Sequence, residues 1–553
     1  MPQWTWPTLG LCMALPWLNP FAPGPSPAVD PWLLAMACSG LMLLLLPPAR
    51  PRAASIAVLL GVMVLLWLPR VAGGQGIDTE RLGATMAMMA MVACALAGAA
   101  AQPREAVLRA MAWSWLAAAL QSAIVGLCQY FDAAHWFAPW MNISVIGEAF
   151  ANLRQRNQFA TLTSIGLLAL VRLLDERLTL RMAVVPALLL AAGNAASASR
   201  IGLLQLLAIA VAMALWRSPR RRERVALAAL ALIGYALAGG LLPLLAAQLG
   251  GQVGGSVAQR LAQDEGCSSR LVLWSNVLEL IRAQPVLGWG WGELDYAHYM
   301  TLYPGERFCD ILDNAHNLPL HLAVELGVPA LFLLGAAAVW WLLRLPVPPW
   351  RERDATRQMA WGMNGVILLH SLVEYPLWYG PFETAFGLCC GLLLRGPVAA
   401  ALADGQVRLL AQRCWRWVPG ALLVGASLYG ALQYRSASQI YLPPQQREPA
   451  ARSDTLAKAK EAWPFLNQAL FAELTTQPLT RANAARQYAL AAGLLHYSPE
   501  PRVIEKLIES AVMLGHDGEA VLHTARYRAA FPADYERWRA RPEQPVQQAG
   551  LIR

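Results

Sequence analysis

Charge is what this sequence has least of. Only 14% of its 553 residues are charged, against about 25% in an average soluble domain. Lysine is confined to Lys458, Lys460 and Lys506. A water-facing surface cannot be assembled from so few charges, which excludes an ordinary soluble globular protein. The sequence also lacks HExxH, DxD and Walker-type glycine-rich motifs and any CxxC of metal-ligand spacing, so no metal, nucleotide or other cofactor is implied. The nine cysteines are scattered, mostly inside apolar runs, where a cysteine acts as a small packing residue. Cys267 and Cys309 are the exceptions.

What is present is apolar sequence, 57% of the chain, in runs of about 15 to 25 residues, enough to cross a hydrocarbon layer of ~30 Å. The runs are 9–18, 32–46, 56–68, 82–101, 110–130, 159–174, 182–196, 201–216, 225–249, 318–343, 359–374, 377–394 and 418–434. They predict an all-α, polytopic transmembrane bundle of about thirteen spans. No charged residue precedes the first run, and no small-residue cleavage site is followed by a soluble domain, so it reads as a retained helix and not a signal peptide. The formal charge of +9 would suit nucleic acid, but the arginines sit in short clusters between apolar runs, a pattern of membrane topology. No nucleic-acid partner is expected.

Alternate loops collect the arginines. With a cytoplasmic N-terminus, the inside loops hold Arg50, Arg52, Arg104, Arg109, Arg172, Arg177 and Arg181, then Arg217, Arg220, Arg221, Arg222 and Arg224. Later inside loops add Arg344, Arg351, Arg353, Arg357, Arg395, Arg408, Arg413 and Arg416. An odd number of spans then leaves the tail on the outer side. Four regions follow: N-terminal transmembrane helices (1–249), a large outer loop (250–317), C-terminal transmembrane helices (318–437) and a helical tail (438–553). The loop is rich in Trp, Tyr and His, which argues against disorder. The tail shows helical periodicity broken near Pro464, Pro478, Pro499 and residues 515–518, without a convincing repeat signature.

Four polar clusters lie at the outer ends of apolar helices, where burying them costs free energy unless they have a task. They are Arg154-Gln155-Arg156-Asn157-Gln158, Ser197-Ala198-Ser199-Arg200, Cys267-Ser268-Ser269-Arg270 and Asp313-Asn314-Ala315-His316-Asn317. Arginine suits a diphosphate because its planar fork gives bidentate hydrogen bonds and stays charged. Histidine suits general-base work near neutral pH. Diphosphate leaving group plus hydroxyl nucleophile spells glycosyl transfer from a lipid diphosphate. The bland alternatives are outer-loop arginines meeting lipid phosphates and a solvated loop histidine, with His321 competing with His316. His370 and Glu374, four apart, are expected to share a helix face and pair there or to make an interhelical polar contact, with Tyr375 and Trp378 as interfacial aromatics. Trp289-Gly290-Trp291-Gly292 reads as a turn with interfacial tryptophans. On an oxidising outer side, Cys267 and Cys309 are the pair a disulfide would join.

Several of these segments resemble a known family. Arg156-Asn157-Gln158-Phe159-Ala160, Ser199-Arg200-Ile201-Gly202 and His316-Asn317-Leu318-Pro319-Leu320 through Glu325-Leu326-Gly327 resemble the O-antigen ligase and polymerase superfamily. The stretch from His370 through Glu374-Tyr375-Pro376 to Tyr379 is similar to its bacterial protein O-oligosaccharyltransferase branch, which glycosylates pilins and other exported proteins. The resemblance implies a metal-independent transferase of the inner membrane that takes glycan from undecaprenyl diphosphate on the periplasmic face. By the resemblance, His316 matches the essential histidine, Arg200 and Arg270 the diphosphate-contacting arginines, and Gln158 and Tyr375 further site positions; Arg154, Arg156 and Glu374 complete the candidate set. It implies a lipid-linked glycan donor, a pilin or other exported acceptor, and a periplasmic active site and tail. Alternatives are an O-antigen ligase acting on the lipid A core, an O-antigen polymerase and, from another class, a transporter or flippase. Mid-span charges and internal symmetry would mark the last, and neither is evident.

Overall fold

A computed structural model describes residues 5–19, 26, 28–46, 61–64, 66–67, 79–101, 105–176, 178–250, 266–345, 347–394 and 406–541. Most of the run 56–68, residues 251–265 of the long loop, and Arg50, Arg52, Arg104, Arg177 and Arg395 lie outside the described residues. All regular secondary structure among the described residues is helical. In chain order the main helices are α1 (Thr5–Leu18), α2 (Val29–Leu45), α3 (Thr79–Ala101), α4 (Glu105–Tyr130), α5 (Arg156–Leu174), α6 (Leu180–Ala196), α7 (Arg200–Leu215) and α8 (Arg221–Gln248). There follow α9 (Arg270–Ala283), α10 (Leu294–Met300), α11 (Leu318–Leu326), α12 (Val328–Leu343), α13 (Ala355–His370), α14 (Gly380–Leu393) and α15 (Gln406–Ser438). The tail adds α16 (Thr455–Glu461), α17 (Leu466–Thr476), α18 (Ala484–Leu494), α19 (Pro501–Leu514), α20 (Asp517–Ala530) and α21 (Pro532–Arg539).

The chain divides into two compact units. The first comprises residues 1–63, 83–263 and 337–431, and its centre is α5. Every residue from Gln158 to Leu174 is buried, which only a helix apolar nearly all round, or satisfied where it is polar, can sustain. It packs against α4, α6, α7 and α13. The periphery is different: Ile233, Leu237, Leu241 and Leu244 on α8 are all exposed and spaced along one helix face, a stripe suited to lipid and costly in water. Four helices, α3, α4, α5 and α8, are long and apolar enough to cross a membrane, and six shorter ones are apolar. The chain is a membrane protein.

Three arginines that the sequence counts among inside-loop charges are buried ion-pair partners. Arg172 reaches Glu176 at 2.8 Å, Glu105 at 3.1 Å and Thr356 Oγ1 at 2.8 Å. Arg224 pairs with Asp175 and donates to Gln358 Oε1 at 2.6 Å. Arg357 holds Glu352 at 2.8 Å and donates to the Leu392 and Leu393 carbonyls at the end of α14. Burial of such charges is tolerable because each is paired and hydrogen-bonded.

The second unit comprises residues 64–82, 264–336 and 432–553. One core joins Leu273, Val277 and Leu280 of α9 to Leu294, Phe308, Leu312 and Val324. Another joins Tyr299 of the loop to Leu494, Ile504, Leu507, Ile508 and Tyr527 of the tail. The tail breaks where its prolines and glycines predict: α17 ends before Pro478, and α19 starts at Pro501 and stops before Gly515.

Candidate active site

The four polar clusters share one local construction: each stands at the capped start of a helix. Gln155 accepts from Gln158 N at 2.6 Å to begin α5 at Arg156. Ser199 accepts from Gly202 N to begin α7 at Arg200, Ser269 from Val272 N to begin α9 at Arg270, and Asn317 from Leu320 N to begin α11. In three of them the residue before the cap is left-handed: Arg154 at φ 60°, Ala198 at 49° and His316 at 48°. Side chains pay for that conformation, so the turn is imposed by its surroundings. Each such start directs backbone N–H groups and the positive end of the helix dipole outward, a favourable setting for an anion.

In the first unit the clusters are tied together. Ser199 Oγ donates to Asn157 Oδ1 at 2.6 Å, and Asn157 Nδ2 donates to Glu374 Oε1 at 3.3 Å. Arg156 forms an ion pair with Glu148, Gln158 is buried, Arg200 is exposed, and Tyr375 stacks on Tyr379 with ring centroids 5.8 Å apart. Of the two expectations for His370, pairing with Glu374 or an interhelical polar contact, the interhelical polar contact is the one that forms. Helix α13 ends at His370, so the two side chains do not continue along one face. His370 Nδ1 instead sits 3.0 Å from Thr161 Oγ1, which also accepts from Gln205 Nε2 at 2.9 Å. His370 is a buried member of the α5–α7–α13 packing, and Glu374 is the residue that joins the Asn157 cluster.

In the second unit a Cys267–Cys309 disulfide, with Cα atoms 5.4 Å apart, ties the start of α9 to the segment leading to His316. His316 N donates to Asn314 Oδ1 at 2.9 Å, and the Trp274 indole donates to the Ala315 carbonyl at 3.1 Å. His321 is nearly fully buried, its Nε2 3.3 Å from Glu325 Oε2, with the Trp291 ring set edgewise 6.0 Å away and the Ala315 N–H 3.5 Å from Nδ1. The less buried His316 is therefore the better placed of the two to meet a substrate.

The run 318–343, expected as one span, is broken at Gly327 into α11 and α12. Gly327 has φ 87°, and a Cβ there would lie 2.1 Å from the Val286 carbonyl oxygen. Opposite it, Gly288 at φ 66° would bring a Cβ 2.5 Å from the Glu325 carbonyl. Trp289 N and Gly290 N donate to the Val324 and Glu325 carbonyls at 2.9 and 3.0 Å, and Val328 N donates to the Pro285 carbonyl at 2.9 Å. The tryptophan turn thus receives carbonyls freed where α11 stops. The Trp289 indole donates to the Leu280 carbonyl at 2.9 Å, so this residue is an internal clamp and not the interfacial aromatic its sequence suggests.

Sequence reasoning passed over a polar group beside this turn. His298 sits between the Tyr303 hydroxyl at 2.8 Å and the Phe308 carbonyl at 3.1 Å; burial pushes its pKa down to about 3, so it is a neutral structural ring. Burial, with Glu293, Asp313 and Glu325 nearby, pushes Asp295 up to about 8. Tail residues close over the same segment: Tyr299 OH lies 3.0 Å from His523 Nδ1, Arg526 donates to the Met300 carbonyl at 3.0 Å, and His496 pairs with Glu293 at 2.6 Å. The aromatic and histidine density of the loop was the available signal.

Residues 185–335 match the family model described as O-antigen ligase, and residues 358–545 match that of the C-terminal region of virulence factor membrane-bound polymerase. Apolar helices with polar, capped starts and these two matches make the chain a membrane protein similar to O-antigen ligases and polymerases over these stretches. Residues 149–174, which carry Arg154, Arg156 and Gln158, match the protein glycosylation ligase model. The chain is 25% identical over 329 residues to a general O-oligosaccharyltransferase of Acinetobacter baylyi, covering 58% of this chain and 56% of that protein. It is 23% identical over 291 residues to a ComP-specific O-oligosaccharyltransferase of the same organism, covering 52% of each. The chain is thus similar, in separate stretches, to the O-antigen ligase and protein glycosylation ligase models and, at modest identity, to O-oligosaccharyltransferases. It spans about half the length of the curated relatives it matches. No solved structure matches it.

Proposed function

We propose that this protein is an oligosaccharyltransferase that moves a glycan from undecaprenyl diphosphate to a Ser or Thr hydroxyl of an exported protein such as a pilin. The observation that carries the reading is the start of α11, where His316 is held in a left-handed turn just before a capped helix, in a region matched by the O-antigen ligase model. In this reading the acceptor oxygen attacks the anomeric carbon, His316 takes the hydroxyl proton, and the bond from that carbon to the diphosphate oxygen breaks. Arg200 and Arg270, with Arg154 and Arg156, bind the diphosphate, which leaves on its lipid. Gln158, Glu374 and Tyr375 orient the sugars or the acceptor. Chemistry on an exported acceptor requires the outer face of the inner membrane. That agrees with about thirteen spans, a cytoplasmic N-terminus and a periplasmic tail beside the loop.

The test is co-expression with a lipid-linked glycan pathway and a candidate pilin in a host without its own ligase. The pilin should gain the mass of the glycan on Ser or Thr. Glycan appearing only on the lipid A core, or only as longer lipid-linked chains, would overturn the protein acceptor.

A further inference from the structure

The turn between α4 and the 149–158 segment has its polar and apolar parts on the wrong sides for water. From Ala133 to Gly147 the chain has no Asp, Glu, Lys or Arg. Trp136 is 79% exposed, Trp140 68% and Val145 67%, and Phe137 and Ile143 are exposed as well. Exposed large apolar side chains scattered singly are ordinary, but five within ten residues form a patch that needs a partner.

The polar groups point inward. Gln129, fully buried in the last turn of α4, uses both ends of its amide. Its Nε2 donates to the Asn142 and Ala151 carbonyls at 2.9 and 3.0 Å, and its Oε1 accepts from Phe150 N and Ala151 N at 3.0 and 2.7 Å. Asn152 repeats the device: its Oδ1 accepts from Asn142 N at 3.1 Å, and its Nδ2 donates to the Trp140 carbonyl at 2.9 Å and the Leu18 carbonyl at 3.1 Å. Gly147 N returns to the Tyr130 carbonyl at 3.0 Å, and Ser144 Oγ donates to the Glu148 carbonyl at 2.8 Å. The turn is folded back on the end of α4 by two side-chain amides, the buried Gln129 and the half-buried Asn152.

Non-helical backbone is tolerated near hydrocarbon only where its N–H and C=O groups are satisfied by protein, and tryptophan favours the level of the lipid headgroups. The bonds just described satisfy much of the turn's backbone, Trp136 and Trp140 supply the tryptophans, and Trp113 and Ile124 on the spanning helix that leads into the turn are exposed as well. We infer that residues 134–145 form a re-entrant aromatic shelf seated in the bilayer interface, with the lipid itself as partner. The shelf anchors the α4 end of the segment that carries Arg154, Arg156 and Gln158 at headgroup depth. The inference needs only that the chain is a membrane protein and stands whether or not the transferase reading holds.

The test places a nitroxide label at Trp136→Cys, at Val145→Cys and, for comparison, at Val521→Cys, an exposed apolar position on the tail. The full chain is used, in phosphatidylethanolamine/phosphatidylglycerol nanodiscs, with the half-buried Cys128 and Cys390 changed to Ser. Labels at 136 and 145 should collide several-fold more with oxygen than with a water-soluble nickel chelate, and the label at 521 should show the reverse ratio. A label at 136 and 145 that behaves like the one at 521 overturns the inference. So does protection from the chelate that arises only on adding undecaprenyl diphosphate or an acceptor protein, which would assign the patch to that ligand. All five large side chains are exposed, so these substitutions spare the amide scaffold, and two label positions guard against a local artefact at either.

Discussion

The candidate residues of the two units are held in different ways. In the first unit, Asn157, Ser199 and Glu374 are fixed by side-chain hydrogen bonds between helix ends that pack together, and α5 behind them is buried throughout. In the second, Arg270 and His316 stand at or just before helix starts fixed by covalent and backbone devices: the Cys267–Cys309 bond, the left-handed His316, and the close approach of Gly288 and Gly327 to facing carbonyls. The contrast has a physical reason. A bundle surrounded by lipid gains nothing from hydrophobic contact between helices beyond packing, so satisfied polar groups help specify its geometry. A loop region with water beside it has small cores and needs staples to reach the same rigidity. The difference predicts which perturbations each unit tolerates.

The largest effect should come from His316. Removing a general base costs about 100-fold to 10,000-fold, so His316→Ala should abolish measurable glycan transfer while the protein accumulates in the membrane. His316→Gly sharpens the point, because glycine adopts φ 48° without strain. It should be at least as stable as the alanine variant in detergent melting and equally inactive. An active glycine variant would mean that the turn matters and the imidazole does not.

Next is the disulfide. Closing a loop with a sequence separation of 42 stabilises by roughly 4 kcal/mol in the chain-entropy account. Cys267→Ser should therefore lower the melting midpoint of the purified protein, and reductant should do the same to the wild type but not to the variant. The described free cysteines of the first unit offer no comparable bond. An unchanged midpoint would show that packing alone holds the second unit, as in the first.

Smaller losses should follow Arg200→Lys and Arg270→Lys, about tenfold to 100-fold in transfer, because lysine keeps the charge but not the bidentate fork. Wild-type turnover by both would reduce these arginines to interface charges. A loss confined to one would say which helix start meets the diphosphate.

The sequence revealed the helical class, the apolar runs and the polar helix starts, because hydrophobic length and cap chemistry are local properties. It also pointed to the cysteine pair, since few cysteines lay outside apolar runs. The break at Gly327 stayed hidden: it depends on the carbonyls of residues 285–286, about forty positions away. For His370 the sequence left two readings open, and only the fold could choose the interhelical contact, its partner Thr161 being on another helix. Arg172, Arg224 and Arg357 looked like topological markers because composition cannot show that Glu176, Asp175 and Glu352 are waiting for them.

The finest comparison is between acids. In the first unit, burial pushes Glu176 up, but Arg109 and Arg172 outweigh it and hold the carboxyl below the usual range. In the second, Asp295 is raised to about 8 by burial, and the surrounding Glu293, Asp313 and Glu325 add to the rise. The folded state therefore binds more protons than the unfolded state between about pH 4 and about pH 8, and stability falls as pH rises through that window. Asp295→Asn keeps an acceptor for the Tyr296 N–H, now bonded at 2.7 Å, and removes the titration. Its melting midpoint should match the wild type near pH 4 and exceed it by several degrees at pH 8.5. Equal midpoints across the range would mean that solvent reaches Asp295 well enough to keep it charged, and that the second unit is less tightly closed around the loop than its staples suggest.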